Sequence, residues 1–201
     1  MRVGVTGGIG SGKTIVCRIF SLLGVPLFDA DKQAALIMDN EVAVREKLVE
    51  ITGRDLYSSG RLDRALLASI IFSDSESLQR VNELVHPLVK ERFLTWSEKQ
   101  KAHYVIIEAA ILYESGSDEL TDRVITVTAP LSQRVKRVMK RDGVSRSDVM
   151  SRIDNQYDDR ERESLADYLI ANGEGDMVIP QILSVHSDIV SSVQRADSSH
   201  K

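Results

Sequence analysis

The sequence predicts an α/β fold: a core of about five parallel strands flanked by helices, with a helical insertion and a helical lid. Three observations predict it. A βαβ unit opens the chain, built from a short apolar run at 2–6, a glycine-rich turn from Gly7 to Gly12, and a segment whose Ile15, Val16, Ile19, Phe20 and Leu23 recur at helical period. Near-continuous apolar runs return at 104–107 and 124–127, as suits strands covered on both faces. Between the opening unit and these runs, over about 32–102, the periodicity is helical and no strand stands out.

Each element has a local cause. Gly24 ends the first helix, and Val25, Pro26, Leu27 and Phe28 form a second strand that stops at Asp29. In the insertion, one helix holds Leu66, Leu67, Ile70 and Ile71. The next holds Leu78, Val81 and Val85 and is expected to end at His86, because Pro87 resists continuation. A third then carries Leu88, Val89, Phe93 and Trp96, and a turn follows Asp55. The strand at 104–107 ends at Glu108. The strand at 124–127 leads to Pro130 in the first turn of a helix. Ser145 and Asp148 have capping-box spacing, 168–170 reads as the last strand, and 177–193 as the closing helix. The expected organisation is a discontinuous core of 1–31 and 103–195, with a lid at about 134–160. A helical acceptor-binding subdomain fills 32–102, and 196–201 forms a flexible tail.

Bulk composition excludes several classes. With 201 residues, 42% hydrophobic and 28% charged, the chain suits a water-soluble domain with a sizeable core. No apolar run approaches the roughly 18 residues that a membrane span needs. A strand-like segment from Arg2 leaves no room for a signal peptide, so a cytoplasmic protein is expected. The net charge of −4 offers no general attraction to nucleic acid. The lone Cys17, among apolar neighbours, reads as a small buried hydrophobe and allows neither a disulfide within the chain nor a thiolate metal cluster. Against this acidic background, Arg134, Lys136, Arg137, Lys140, Arg141 and Arg146 make a basic island, which suggests a local anion site.

Gly7-Gly8-Ile9-Gly10-Ser11-Gly12-Lys13-Thr14 matches G-x-x-x-x-G-K-[ST] throughout, with a strand before it and an amphipathic helix after it. Polyphosphate carries dense negative charge and needs several donors at close range. Glycines let successive backbone N–H groups turn inward, and the helix start adds its positive end. Gly8, Ile9, Gly10, Ser11 and Gly12 therefore read as a cradle for ATP or GTP. Lys13 supplies charge to the β and γ phosphates, and the Thr14 hydroxyl reads as a Mg²⁺ ligand. The core is thus of the P-loop NTPase type.

A phosphate loop alone does not name the reaction. A GTP-hydrolysing switch is expected to carry an Asn-Lys-x-Asp motif after a strand, and none is present. A partner-dependent ATPase usually needs more chain. A small kinase needs an acceptor carboxylate and a mobile basic lid, and both have candidates. Asp29 and Asp31 follow the second strand, at the edge where open α/β sheets bind ligands. Asp29 reads equally as a helix cap, while Asp31 is the expected functional acid. Glu108, after the third strand, can support Mg²⁺ through water, although Asp is more usual there. Arg134, Arg137 and Arg141 share one helix face, with Val135, Val138 and Met139 on the other. Arg134 reads as a solvated charge. Arg137 and Arg141 precede a hinge-like Asp142-Gly143 and suit phosphate, because a guanidinium makes paired hydrogen bonds.

These residues in this order resemble the dephospho-CoA kinase family. The phosphate loop, Asp29-Ala30-Asp31, His86-Pro87 and Ala110-Ile111-Leu112-Tyr113-Glu114 carry the resemblance, with Gln133 to Arg137, Arg141-Asp142, Gln156, Ala166-Asp167 and Ile170-Ala171-Asn172-Gly173. It implies ATP-dependent phosphorylation of the ribose 3′-hydroxyl of dephospho-CoA, the last step in making coenzyme A. It also implies that Asp31 is the general base, that Lys13 and Arg141 stabilise the transferring group, and that Arg137 and Asn172 serve ATP. His86, Leu112 and Glu114 would contact the acceptor. The substrates would be ATP and dephospho-CoA, with Mg²⁺ as cofactor, no nucleic acid and no membrane, and nothing in the sequence specifies a protein partner. Another nucleoside or nucleotide kinase is the nearest rival. One departure stands out: where the family often shows Pro-Leu-Leu-Phe-Glu, this chain has Ala110 in place of the proline and Tyr113 in place of the phenylalanine.

Overall fold

A computed structural model of the chain describes residues 1–198. Five strands form one parallel sheet in the order β2-β3-β1-β4-β5: β1 Arg2–Thr6, β2 Leu27–Asp29, β3 Val105–Glu108, β4 Arg123–Thr128 and β5 Tyr168–Ala171. The order reverses around β1, whose neighbours are β3 on one side and β4 on the other. In such a sheet the crevice for a ligand lies beyond the carboxyl ends at that switch point. Gly7 follows β1 there, Glu108 closes β3, and Asn172 follows β5.

The chain divides into two compact units, Met1–Asp29 with the residues from Ser97 onward, and Ala30–Trp96. In the first, α1 Lys13–Leu22 and α9 Val178–Ser198 cover one face of the sheet. Val16, Cys17 and Phe20 of α1 pack with Val3, Val5, Ile106, Ile125, Val127 and Ile170 of the strands and with Ile182 and Ile189 of α9, all buried. Each such side chain contributes about 1.5–3 kcal/mol by leaving water, which explains why the strands read as apolar runs. On the opposite face, Gly4 makes room for Leu112, whose Cδ2 lies 2.6 Å from where a β-carbon at Gly4 would stand. α6 Leu131–Asp142, α7 Arg146–Asp154 and α8 Asp159–Ser164 follow β4. Ser145 caps α7 through the capping box with Asp148. Val135, Val138 and Val149 form a smaller core with Ile9 of the phosphate loop packed against it. Met139, expected in that core, is instead exposed, because the apolar face of α6 is narrow.

The second unit comprises α2 Ala30–Asn40, α3 Val42–Thr52, α4 Arg64–Ser73 and the first 22 residues of α5 Ser75–Glu98. The expected break at Pro87 is absent: α5 runs through it. Val81, Val85, Val89 and Phe93 recur every four residues and are all buried, so one continuous helix buries one continuous stripe. That burial outweighs the proline's lost hydrogen bond and steric clash, together about 3 kcal/mol. The closing helix also exceeds its expected length. It extends to Ser198, so 196–198 belong to α9, while 199–201 of the expected tail lie outside the described residues. Among the described residues, no helix is long and apolar enough to cross a membrane.

Replacing Pro87 by alanine restores the backbone donor inside α5. The variant is expected to gain about 1–2 kcal/mol in denaturant unfolding, less than the full proline penalty because the unfolded chain also gains freedom. An unchanged or lowered midpoint would mean that the helix is already relaxed around the ring.

Candidate active site

The phosphate loop connects β1 to α1, and its glycines are dictated by neighbours as well as by backbone angles. Gly12 lies at φ +97°, and a β-carbon there would stand 2.1 Å from Nδ2 of Asn172. At Gly8 a β-carbon would stand 1.6 Å from Nη1 of Arg134. The loop is therefore packed from outside while its helix end directs N–H groups inward. Lys13 Nζ donates to the Gly7 carbonyl at 2.9 Å, which folds the side chain along the loop. The Ser11 hydroxyl is buried without a protein partner, a polar group that a bound phosphate or water would satisfy.

Three further segments fasten onto this loop. Asn172 Nδ2 donates to the Ser11 carbonyl at 2.6 Å, and Arg137 donates to the carbonyls of Asn172 at 2.8 Å and Gly10 at 3.4 Å. Gln156 accepts from Ile9 N at 2.9 Å and donates to the Ala110 carbonyl at 3.0 Å. Its neighbour Tyr157 donates its N–H to Glu114 Oε1 at 2.9 Å and stacks on Tyr113 with ring centroids 6.2 Å apart. The other Glu114 oxygen is buried with no partner in the protein. Leu112 is fully buried over Gly4, so its side chain serves the packing that anchors this segment.

Arg134 overturns its expected reading as a solvated charge. Its side chain is only 3% exposed, and Nη2 donates to Asp159 Oδ2 at 2.6 Å. Arg162, equally buried, donates to the other oxygen of Asp159 at 3.1 Å and to the Tyr157 carbonyl at 2.5 Å. Burial holds the Arg134 pKa below its ordinary value, partly offset by Asp159. Nothing in the sequence marks this cluster, because Asp159 lies 25 residues from Arg134 and such a pairing leaves no local signature. Arg141, by contrast, is 64% exposed and forms a forked pair with Asp142, at 2.6 and 3.0 Å.

Thr14 Oγ1 donates to Glu108 Oε1 at 3.3 Å, so the two expected metal-site residues meet. Glu108 is buried, and desolvation raises its pKa, partly countered by Lys13. Cys17 is buried beside it, and burial followed by the charge of Glu108 pushes the thiol well up, which matches its reading as an inert apolar residue. A hydroxyl and a carboxylate are hard oxygen donors that suit Mg²⁺, which keeps most of its shell for water and phosphate. In the second unit, Asp31 lies exposed in the first turn of α2, two residues past the end of β2. His86 is half-buried in α5, where desolvation and then Lys90 lower its pKa and favour the neutral ring.

Known proteins resemble this chain in sequence and in fold. The sequence model described as dephospho-CoA kinase matches residues 1–177. A dephospho-CoA kinase of Bacteroides fragilis is 37% identical over 92% of this chain and 91% of its own length. One from Porphyromonas gingivalis is 39% identical, covering 92% of each. A crystal structure from Thermus thermophilus superposes with a TM-score of 0.82 at 31% identity, over 96% of this chain and 97% of that one. The dephospho-CoA kinase of Campylobacter jejuni gives 0.67 at 26% identity, over 95% and 98%.

Asp159→Asn leaves two buried guanidiniums sharing a neutral amide. A loss of about 2–3 kcal/mol in unfolding free energy is expected, below that of a fully buried pair because Asp159 is half-exposed. Glu108 gives a pH signature in metal-free protein. Its raised native pKa stabilises the fold below the ordinary glutamate value, and that contribution is lost as pH rises through the native value. Denaturant unfolding across this range should show a downward slope that Glu108→Gln removes; parallel pH profiles would refute the assignment.

Proposed function

We propose that this chain, which belongs to the dephospho-CoA kinase family, transfers the γ-phosphoryl group of ATP to the ribose 3′-hydroxyl of dephospho-CoA, giving coenzyme A and ADP. The observation that carries the reading is the glycine loop at the switch point of a parallel sheet, within a chain matched by the family over residues 1–177. In the transfer, a bond forms between the 3′-oxygen and the γ-phosphorus as the bond from that phosphorus to the bridging oxygen of ADP breaks. Asp31 takes the hydroxyl proton as general base.

The remaining roles follow from charge and placement. Lys13 leaves the Gly7 carbonyl for the β and γ oxygens, and the loop from Gly8 to Thr14 holds the triphosphate. Arg137 and Asn172, fastened to the loop, bind the nucleotide. Arg141 exchanges Asp142 for the transferring group, an exchange that its exposure and the hinge at Gly143 permit. His86 and Glu114 bind the acceptor, and Leu112 enters through the segment it anchors. Thr14, with Glu108 through water, would hold Mg²⁺, which neutralises charge on the phosphate oxygens. Residues 32–102 form the acceptor subdomain and about 134–160 the lid. No nucleic-acid partner is proposed for a chain of net charge −4. The lone buried Cys17 suits the reducing cytoplasm, where we place the enzyme.

An ADP-release assay with dephospho-CoA, with a panel of nucleosides, and with no acceptor tests the reaction. Dephospho-CoA alone should support turnover; acceptor-independent hydrolysis would instead indicate an ATPase. Lys13→Ala and Arg141→Ala should each lower kcat at least about 10²-fold with the fold retained. Asp31→Asn should lower kcat about 10²–10⁴-fold while sparing ATP affinity. A change confined to KM would make Asp31 a binding residue.

A further inference from the structure

Gln156 lies in the short connection between α7 and α8 and uses both ends of its amide on backbone that is distant in sequence. Oε1 accepts from Ile9 N, 147 residues away, and Nε2 donates to the Ala110 carbonyl, 46 residues away. The partners dictate the orientation of the amide: an N–H can only meet the oxygen, and a carbonyl can only meet the NH₂. No other natural side chain of this length offers one acceptor and two donors without charge. A carboxylate lacks the donor, and an ammonium lacks the acceptor.

The two segments it joins matter for the reaction. Ile9 forms the tip of the phosphate loop, and its side chain packs on the small core of α6 and α7. Ala110 begins the segment that ends at Glu114, and that segment is held a second time by Tyr157 through its N–H and its ring. One dipeptide, Gln156-Tyr157, therefore ties the donor loop to the segment after β3. Its anchorage is firm, because the Tyr157 carbonyl is itself held by the buried Arg162.

We propose that Gln156 is a positioning residue that sets the spacing between the phosphate loop and the Ala110–Glu114 segment. It touches neither the phosphates nor the acceptor; it acts through Ile9 N and the Ala110 carbonyl. Its effect on turnover rests on the kinase reading above, whereas its effect on the loop does not. Without it, the Ile9 turn and the segment lose their common reference and the reacting groups lose alignment. Misplacement by about 1 Å can cost about 10²-fold in rate.

Two variants test this. Gln156→Met keeps length and volume but neither hydrogen bond. Gln156→Glu keeps the acceptor for Ile9 N and loses the donor to Ala110. For Gln156→Met, amide exchange at Ile9 should accelerate at least about tenfold, affinity for a fluorescent ATP analogue should weaken, and kcat should fall about 10–100-fold. For Gln156→Glu, Ile9 should remain protected while kcat still falls. Should the methionine variant not fold, the glutamate variant decides alone. Wild-type kcat in either folded variant, or Ile9 exchange in the methionine variant that matches the wild-type protein, overturns the proposal. Failure of the wild-type chain to phosphorylate dephospho-CoA would refute the kinase reading, yet Ile9 exchange and analogue affinity would still judge Gln156.

Discussion

Close packing of backbone around the phosphate loop governs the architecture of the first unit. A loop that must direct amides inward at a polyphosphate cannot also carry side chains outward where other elements press against it. Here Arg134 presses on Gly8 and Asn172 on Gly12. Gly12 thus answers two demands at once, a left-handed backbone angle and the close approach of Asn172 from the end of β5, while Gly8 answers the second alone, toward Arg134 of α6. These demands explain why α6 and the end of the last strand are seated against the loop and not merely near it.

The fastening is polar, and much of it is made by side chains to backbone. Arg137, Asn172 and Gln156 reach the Gly10 carbonyl, the Ser11 carbonyl and the Ile9 amide of the loop respectively. Such contacts contribute only about 0.5–1.5 kcal/mol each, yet leaving a buried backbone group unmet costs about 1–3 kcal/mol. They specify geometry more than they add stability. The apolar part, Ile9 against Val135, Val138 and Val149, forms a small core separate from the main one that covers the sheet.

Charge is handled in two ways within a short distance. Arg134 and Arg162 are buried as a pair on a single half-exposed carboxylate, which keeps positive charge fixed beside Gly8. Arg141 remains on the surface, matched by its neighbour Asp142. A buried, paired guanidinium is a fixed part of the scaffold; an exposed one can exchange partners. Glu108 lies between these extremes, buried enough to hold its proton more tightly than usual yet in contact with Thr14.

The sequence by itself determined the phosphate loop, the strands that flank it and the family resemblance, because each depends on local rules: glycine spacing, apolar periodicity and short-range order of motifs. It also singled out Thr14 by the loop motif, Glu108 by its strand end, Arg137 by its helix face and Asn172 through the resemblance. The tertiary structure alone decided that α5 runs through Pro87, since the gain from burying one stripe over Val81 to Phe93 is not visible from a residue's own preference. It alone decided that Arg134 is buried while Arg141 is not, although both lie on one amphipathic helix. The difference depends on Asp159, 25 residues away, and on the space above Gly8, which exists only once the chain has folded.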